Sequence, residues 1–142
     1  MIKNTLRKRR LPTAAFNRKL TRLLRSLRLP KAELSVLFVG DRAMRTLNRT
    51  WLGRDKTTDV LSFPLREGRF LQIQPEMLGD IVISVPVAAR QAGAAGHSLA
   101  IEIERLLVHG LVHLLGYDHE QGRHEAQRMK RREQQLLSRM SP

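Results

Sequence analysis

A chain of 142 residues with a net charge of +13 and no cysteine excludes several classes at once. Thiolate metal sites, thiol catalysis and a disulfide framework are ruled out, and no segment approaches the roughly 18 uninterrupted apolar residues of a membrane span. The length fits one domain over residues 1–142, large enough to bury a core unaided.

The chain opens Met1-Ile2, followed by Lys3, Arg7, Lys8, Arg9 and Arg10 with no long apolar run behind them. A signal-peptide core is therefore not expected, and a soluble cytoplasmic protein with no membrane partner is. Residues 1–11 read either as a basic arm or as a short first strand. Thr13 is placed to N-cap a helix through about Leu27, with Phe16, Leu20, Leu23, Leu24 and Leu27 on one face and Arg18, Arg22 and Arg25 opposite. Glu33 to Val39 alternates and is rich in β-formers, which predicts a strand. Gly40 turns the chain. Asp41 is then expected to cap a helix through about Trp51, with Met44, Leu47 and Trp51 facing inward.

Residues 57–64 predict a strand stopped by Pro64, and Arg66 to Gln74 a hairpin or loop. Leu78 to Val85 is apolar through its centre, as in a strand buried on both faces. Pro86 suits the first turn of a helix through about Ala95. Ser98 is placed to N-cap the next helix, with Glu102 near its positive end. A basic helix from about Arg123 to Ser138 closes the chain, with Met129, Leu136 and Leu137 on its inner side. The expected class is α+β: a small mixed sheet of three or four strands, with about five helices around a buried central metal-binding helix.

Charge is unevenly spread. Residues 1–32 hold eleven Lys or Arg and no acid, and a second cluster runs through Arg123, Arg128, Lys130, Arg131 and Arg132. Such a field draws polyanions and speeds their encounter, so a nucleic-acid partner is expected, with Arg18, Arg22 and Arg25 as candidate contacts. Aromatic residues are few, which argues against base stacking as the main mode of binding.

The chemistry concentrates in residues 109–119. Three of the five histidines, His109, His113 and His119, fall at spacings of four and six. Residues four apart share a helical face, so His109 and His113 can aim at one point. Gly116 can end the helix in a left-handed turn and let the chain bring His119 back. The surrounding helix is almost wholly apolar, and unpartnered imidazoles there would cost about 1–3 kcal/mol each. Three imidazoles with one open position form a catalytic zinc set, and one zinc ion is the expected cofactor.

The string H-x-x-x-H-x-x-G-x-x-H is the zinc spacing of metzincin proteases, which carry a general-base Glu directly after the first His. Here that place is Gly110. The fuller string His-Gly-x-x-His-Leu-x-Gly-Tyr-Asp-His resembles instead the YbeY family, bacterial endoribonucleases of ribosomal RNA maturation and ribosome quality control. Leu47-Asn48 with Thr58-Asp59-Val60-Leu61-Ser62-Phe63-Pro64, and Leu78-Gly79-Asp80-Ile81-Val82-Ile83, are similar to two further family signatures. Gly96-His97-Ser98, and Glu125 with Met129 and Glu133, also fit.

The resemblance implies metal-dependent cleavage of single-stranded RNA, with small-subunit ribosomal RNA and the ribosome as partners. The family reads Tyr-Arg-Gly-Lys-Asp where this chain has Trp51-Leu52-Gly53-Arg54-Asp55, so the family arginine falls on Leu52. Either Arg54, two residues on, reaches in as the cation for charge developing on phosphorus oxygens, or another cation binds the phosphate, or the activity is weakened; Asp59 and Asp118 are the candidate carboxylates orienting a histidine. Two rivals stand beside this reading. A metalloprotease is supported by the ligand spacing and opposed by Gly110 and the net charge. A non-catalytic ribosome-associated zinc protein is supported by Leu52 and the basicity.

Overall fold

The computed structural model describes residues 2–6, 10–65, 77–116 and 122–140. In chain order it contains β1 (Ile2–Asn4), α1 (Thr13–Ser26), β2 (Glu33–Val39), α2 (Asp41–Leu52), β3 (Val60–Pro64), β4 (Met77–Ser84), α3 (Val85–Ala95), α4 (Leu99–Leu114) and α5 (Arg123–Met140). The four strands form one mixed sheet in the order β1-β2-β4-β3. β1 and β2 are parallel, as are β2 and β4, and β3 runs antiparallel to β4. The α+β expectation holds, with four strands and five helices among the described residues.

Strand periodicity divides the core. Successive side chains point to opposite faces of a sheet. Val36, Phe38, Ile81 and Ile83 therefore join one cluster, with Phe16, Leu20 and Leu23 of α1, Leu106, Leu107 and Leu111 of α4, and Met129 and Leu136 of α5. Val39, Leu61 and Val82 point the other way and are covered by Met44 of α2. β4 has a neighbour on each side and helices on both faces, which accounts for the apolar stretch Ile81-Val82-Ile83.

The helix signals resolve with two differences. Ser98 caps α4 as expected, its side chain accepting from Ile101 N at 3.2 Å, a cap of about 1 kcal/mol. Thr13 and Asp41 are instead the first residues inside α1 and α2, whose caps are Pro12 and Gly40. Asp41 uses its carboxylate across the fold, accepting from Ser84 Oγ at 3.2 Å, Arg90 Nη1 at 3.2 Å and Thr57 Oγ1 at 3.4 Å. Trp51 does not face inward. It is 67% exposed, because α2 runs past the covered part of the sheet and leaves the indole edge-on to Phe63, ring centroids 6.4 Å apart. The Arg66–Gln74 hairpin or loop, and Arg7, Lys8 and Arg9 of the basic arm, lie outside the described residues. Ile2–Asn4 takes the strand alternative by pairing with Val36–Phe38.

Candidate active site

One side of α4 is deeply buried: Ile103, Leu106, Leu107, Val108, Leu111 and Val112 are all at most 1% exposed. His109 and His113 share its remaining stripe, and their rings stand 4.9 Å apart, edge to face. Both line a cleft of about 380 Å³ together with Asn48, Leu52, Arg54, Lys56, Thr58, Asp59 and Ser62. Residues from α2, the loop after it, the start of β3 and α4 thus meet in one depression.

Local chemistry fixes that loop. Gly53 ends α2 at φ 69°, a left-handed conformation open to glycine. Asn48 is 2% exposed and its amide donates to the Lys56 carbonyl at 2.9 Å. Arg45 Nε donates to Asp55 at 2.9 Å, and this guanidinium holds the Asp55 carboxyl below the usual carboxylate range. Thr57 is tied to Asp41. Folded back in this way, the loop contributes Arg54 and Lys56 to the cleft that the imidazoles line. Leu52, at the family arginine's place, lines the same cleft.

The carboxylate that engages His109 comes from an unexpected element. Glu133 of α5 meets His109 Nδ1 at 2.5 Å. An ionised carboxylate only accepts, so Nδ1 carries the proton in this pair. A sequence signal for Glu133 exists: Met129, Glu133, Leu136 and Met140 recur at helical spacing, and the other three are buried. An acid on a core-facing stripe calls for a partner. Asp59 also lines the cleft. Its carboxylate accepts from Val60 N at 2.8 Å and from Gln91 Nε2 at 3.2 Å, which anchors it at the start of β3.

One turn before His109, Arg105 donates to Glu102, Nη2 to Oε2 at 2.5 Å. His97 Nε2 donates to the same carboxylate at 2.7 Å. Burial alone would push the Glu102 carboxyl up; the hydrogen bonds from Arg105 and His97 outweigh it and hold the group below its ordinary value. The charges of Glu102, Asp59 and Glu133 all favour the Arg105 cation.

Gly110 has a structural reason. A Cβ there would stand 3.0 Å from Ile81 Cγ2, where α4 presses on β4, and its carbonyl accepts from Ser62 Oγ at 3.3 Å. Position 110 faces the sheet, so no general-base side chain could serve the cleft from it. Among the described residues no group of three or more metal-binding side chains is found. His119 and Asp118 lie outside the described residues. The donors in view still suit an ion: two imidazoles that each reach about 2 Å to a shared metal need rings this close, and a carboxylate on the far ring nitrogen is the usual support of a ligating histidine. Arg18, Arg22 and Arg25 are exposed on the outer face of α1, flanking a shallow depression with Asn17 and Thr21, separate from the cleft.

Fold and site define a class: a small α+β protein whose paired helical imidazoles share an open cleft with an arginine and a lysine. The sequence matches the family model "Endoribonuclease YbeY" over residues 1–141. The chain belongs to this family. It is similar to endoribonuclease YbeY of Aquifex aeolicus, 48% identical over 120 residues covering 83% of this chain and 77% of that one. Against endoribonuclease YbeY of Syntrophotalea carbinolica the identity is 41% over 140 residues, 98% of this chain and 93% of the relative. A solution structure from Thermotoga maritima shares the fold with a TM-score of 0.69 at 23% identity, covering 99% of this chain and 89% of that one.

Proposed function

We propose that this protein is a metal-dependent endoribonuclease that cuts single-stranded RNA in the maturation of small-subunit ribosomal RNA and in ribosome quality control. One observation carries the reading: His109 and His113 share a cleft with Arg54 and Lys56, in a chain of the endoribonuclease YbeY family. That cleft joins metal-type donors to phosphate-type cations. At about 380 Å³ it has room for a short length of RNA backbone.

His109, His113 and His119 would hold zinc, which when bound polarises a phosphate oxygen and brings the pKa of a coordinated water to about 7. Glu133 keeps the proton of His109 on Nδ1, so that Nε2 is the nitrogen presented as ligand. Arg54 supplies the guanidinium that Leu52 lacks. Its planar fork can grip two phosphate oxygens and stabilise charge as it develops there, while Lys56 adds a point charge to the same cleft. Asp59 and Asp118 are the carboxylates proposed to orient the imidazoles. Arg18, Arg22 and Arg25 would hold more distant phosphates of the strand and of the ribosome's RNA, in the cytoplasm.

The test is to incubate zinc-loaded protein with labelled single-stranded RNA, the matching duplex and casein, beside His113→Ala. Cleavage of the single strand alone, lost in the variant, is expected. Casein hydrolysis, or no metal-dependent RNA cleavage, would reject the reading.

A further inference from the structure

Beyond the phosphate chemistry of the cleft lies a second depression that this chemistry does not use. It holds about 380 Å³ and is lined by Ser35, Leu37, Leu47, Trp51, Phe63, Asp80 and Val82. Two cross-strand rows make its floor. Ser35, Asp80 and Phe63 pair across β2, β4 and β3, and Leu37, Val82 and Leu61 form the next row on the same face. α2 covers the second row and leaves the first open, with Trp51 standing at its edge. From the geometry we infer that this groove is a nucleobase subsite: an unpaired base of the RNA strand stacks on the Trp51 indole while its neighbouring phosphodiester occupies the cleft. The inference rests on the RNA-cleaving reading above and names how that substrate is held.

Three observations select a base as occupant. First, the two depressions adjoin. Leu52 lines the cleft and Trp51 the groove, and consecutive Cα atoms are only about 3.8 Å apart. The same two elements wall both: α2 gives Asn48 and Leu52 to the cleft and Leu47 and Trp51 to the groove, and β3 gives Leu61 and Ser62 to the cleft and Phe63 to the groove, so a strand leaving the cleft along them meets Trp51. Second, Trp51 is 67% exposed at the edge of this groove and offers a flat heterocycle its π-face. The indole is already held edge-on by Phe63, so little ordering remains to be done. Third, charge excludes the backbone. A phosphate would be repelled by Asp80, whereas the carboxylate and the Ser35 hydroxyl accept hydrogen bonds from the ring and exocyclic N–H groups of a base.

Trp51 is the chain's one tryptophan, so its fluorescence reports this groove and nothing else. Zinc-loaded protein is mixed with a short single-stranded oligoribonucleotide in a stopped-flow cell and read before turnover, beside an abasic strand of equal length. Trp51→Ala and Trp51→Phe are assayed for cleavage of the same RNA. Strong quenching by RNA and little by the abasic strand is expected. Trp51→Ala should raise KM about tenfold with kcat within about twofold, and Trp51→Phe should restore most of the loss. RNA that is cleaved normally without quenching, and with unchanged KM in Trp51→Ala, overturns the inference while sparing the endoribonuclease reading, and gives the groove to a protein partner. RNA that is neither bound nor cleaved overturns both.

Discussion

Removing the Glu133 carboxylate isolates the contact that prepares His109. The pair spans 2.5 Å between α5 and α4, with 28% of the imidazole and 18% of the carboxylate side chain exposed, so water screens it only in part. Glu133→Ala frees the imidazole to rotate and to change tautomer. Loss of such a supporting carboxylate typically weakens a metal site about 10–100-fold, or about 1.4–2.8 kcal/mol. Glu133→Gln keeps an acceptor oxygen without the charge and should fall between. The assay is zinc competition against a chromophoric chelator at fixed pH. Urea denaturation beside it tests whether Met129, Leu136 and Met140 still seat α5. Zinc affinity of Glu133→Ala equal to that of the unaltered protein would refute the reasoning.

Three further outcomes follow from the same structure. Gly79→Ala should destabilise by about 3 kcal/mol or more in urea denaturation, since a Cβ at this φ of +141° would lie 2.2 Å from the Phe63 carbonyl oxygen. Stability should fall in acid through Glu102: its folded carboxyl titrates below its unfolded value, so its contribution is complete above the unfolded pKa and lost as pH drops through the folded one. Glu102→Gln should flatten that part of the stability–pH curve, and an unchanged curve would assign the acid loss elsewhere. Neutralising Arg18, Arg22 and Arg25 together should lower the log–log salt slope of single-strand binding by about 2, at about 0.7 per phosphate contact, and an unaltered slope would leave them as a solvated face.

Much of this fold is legible where one physical signal dominates. The alternation of Glu33 to Val39 and the apolar run of β4 report directly on burial, and Ser98 caps the helix it precedes. Ends and edges are less legible. Thr13 and Asp41 have the chemistry of caps, but Pro12 and Gly40 take those positions, and Asp41 is drawn into bonds with Ser84, Thr57 and Arg90 that only the folded chain brings near. Trp51 has the spacing of an inward residue, yet α2 outruns the surface it covers. At the site, the i,i+4 spacing foretells that His109 and His113 meet. The partnership of His109 with Glu133, twenty-four residues on, depends on how α5 docks. Gly110 reads in sequence as a missing base, and only contact with Ile81 shows it as the point where helix meets sheet.

The central claim is that the imidazoles and the loop cations of one cleft act together on a phosphodiester. The most direct measurement is steady-state cleavage of labelled single-stranded RNA by His113→Ala and Arg54→Ala, with kcat and KM resolved. His113→Ala should abolish turnover. Arg54→Ala should lower kcat about 10²–10³-fold with little change in KM, because the role proposed for its guanidinium is to meet charge that exists only in the transition state. Wild-type-like cleavage by either variant would contradict the account.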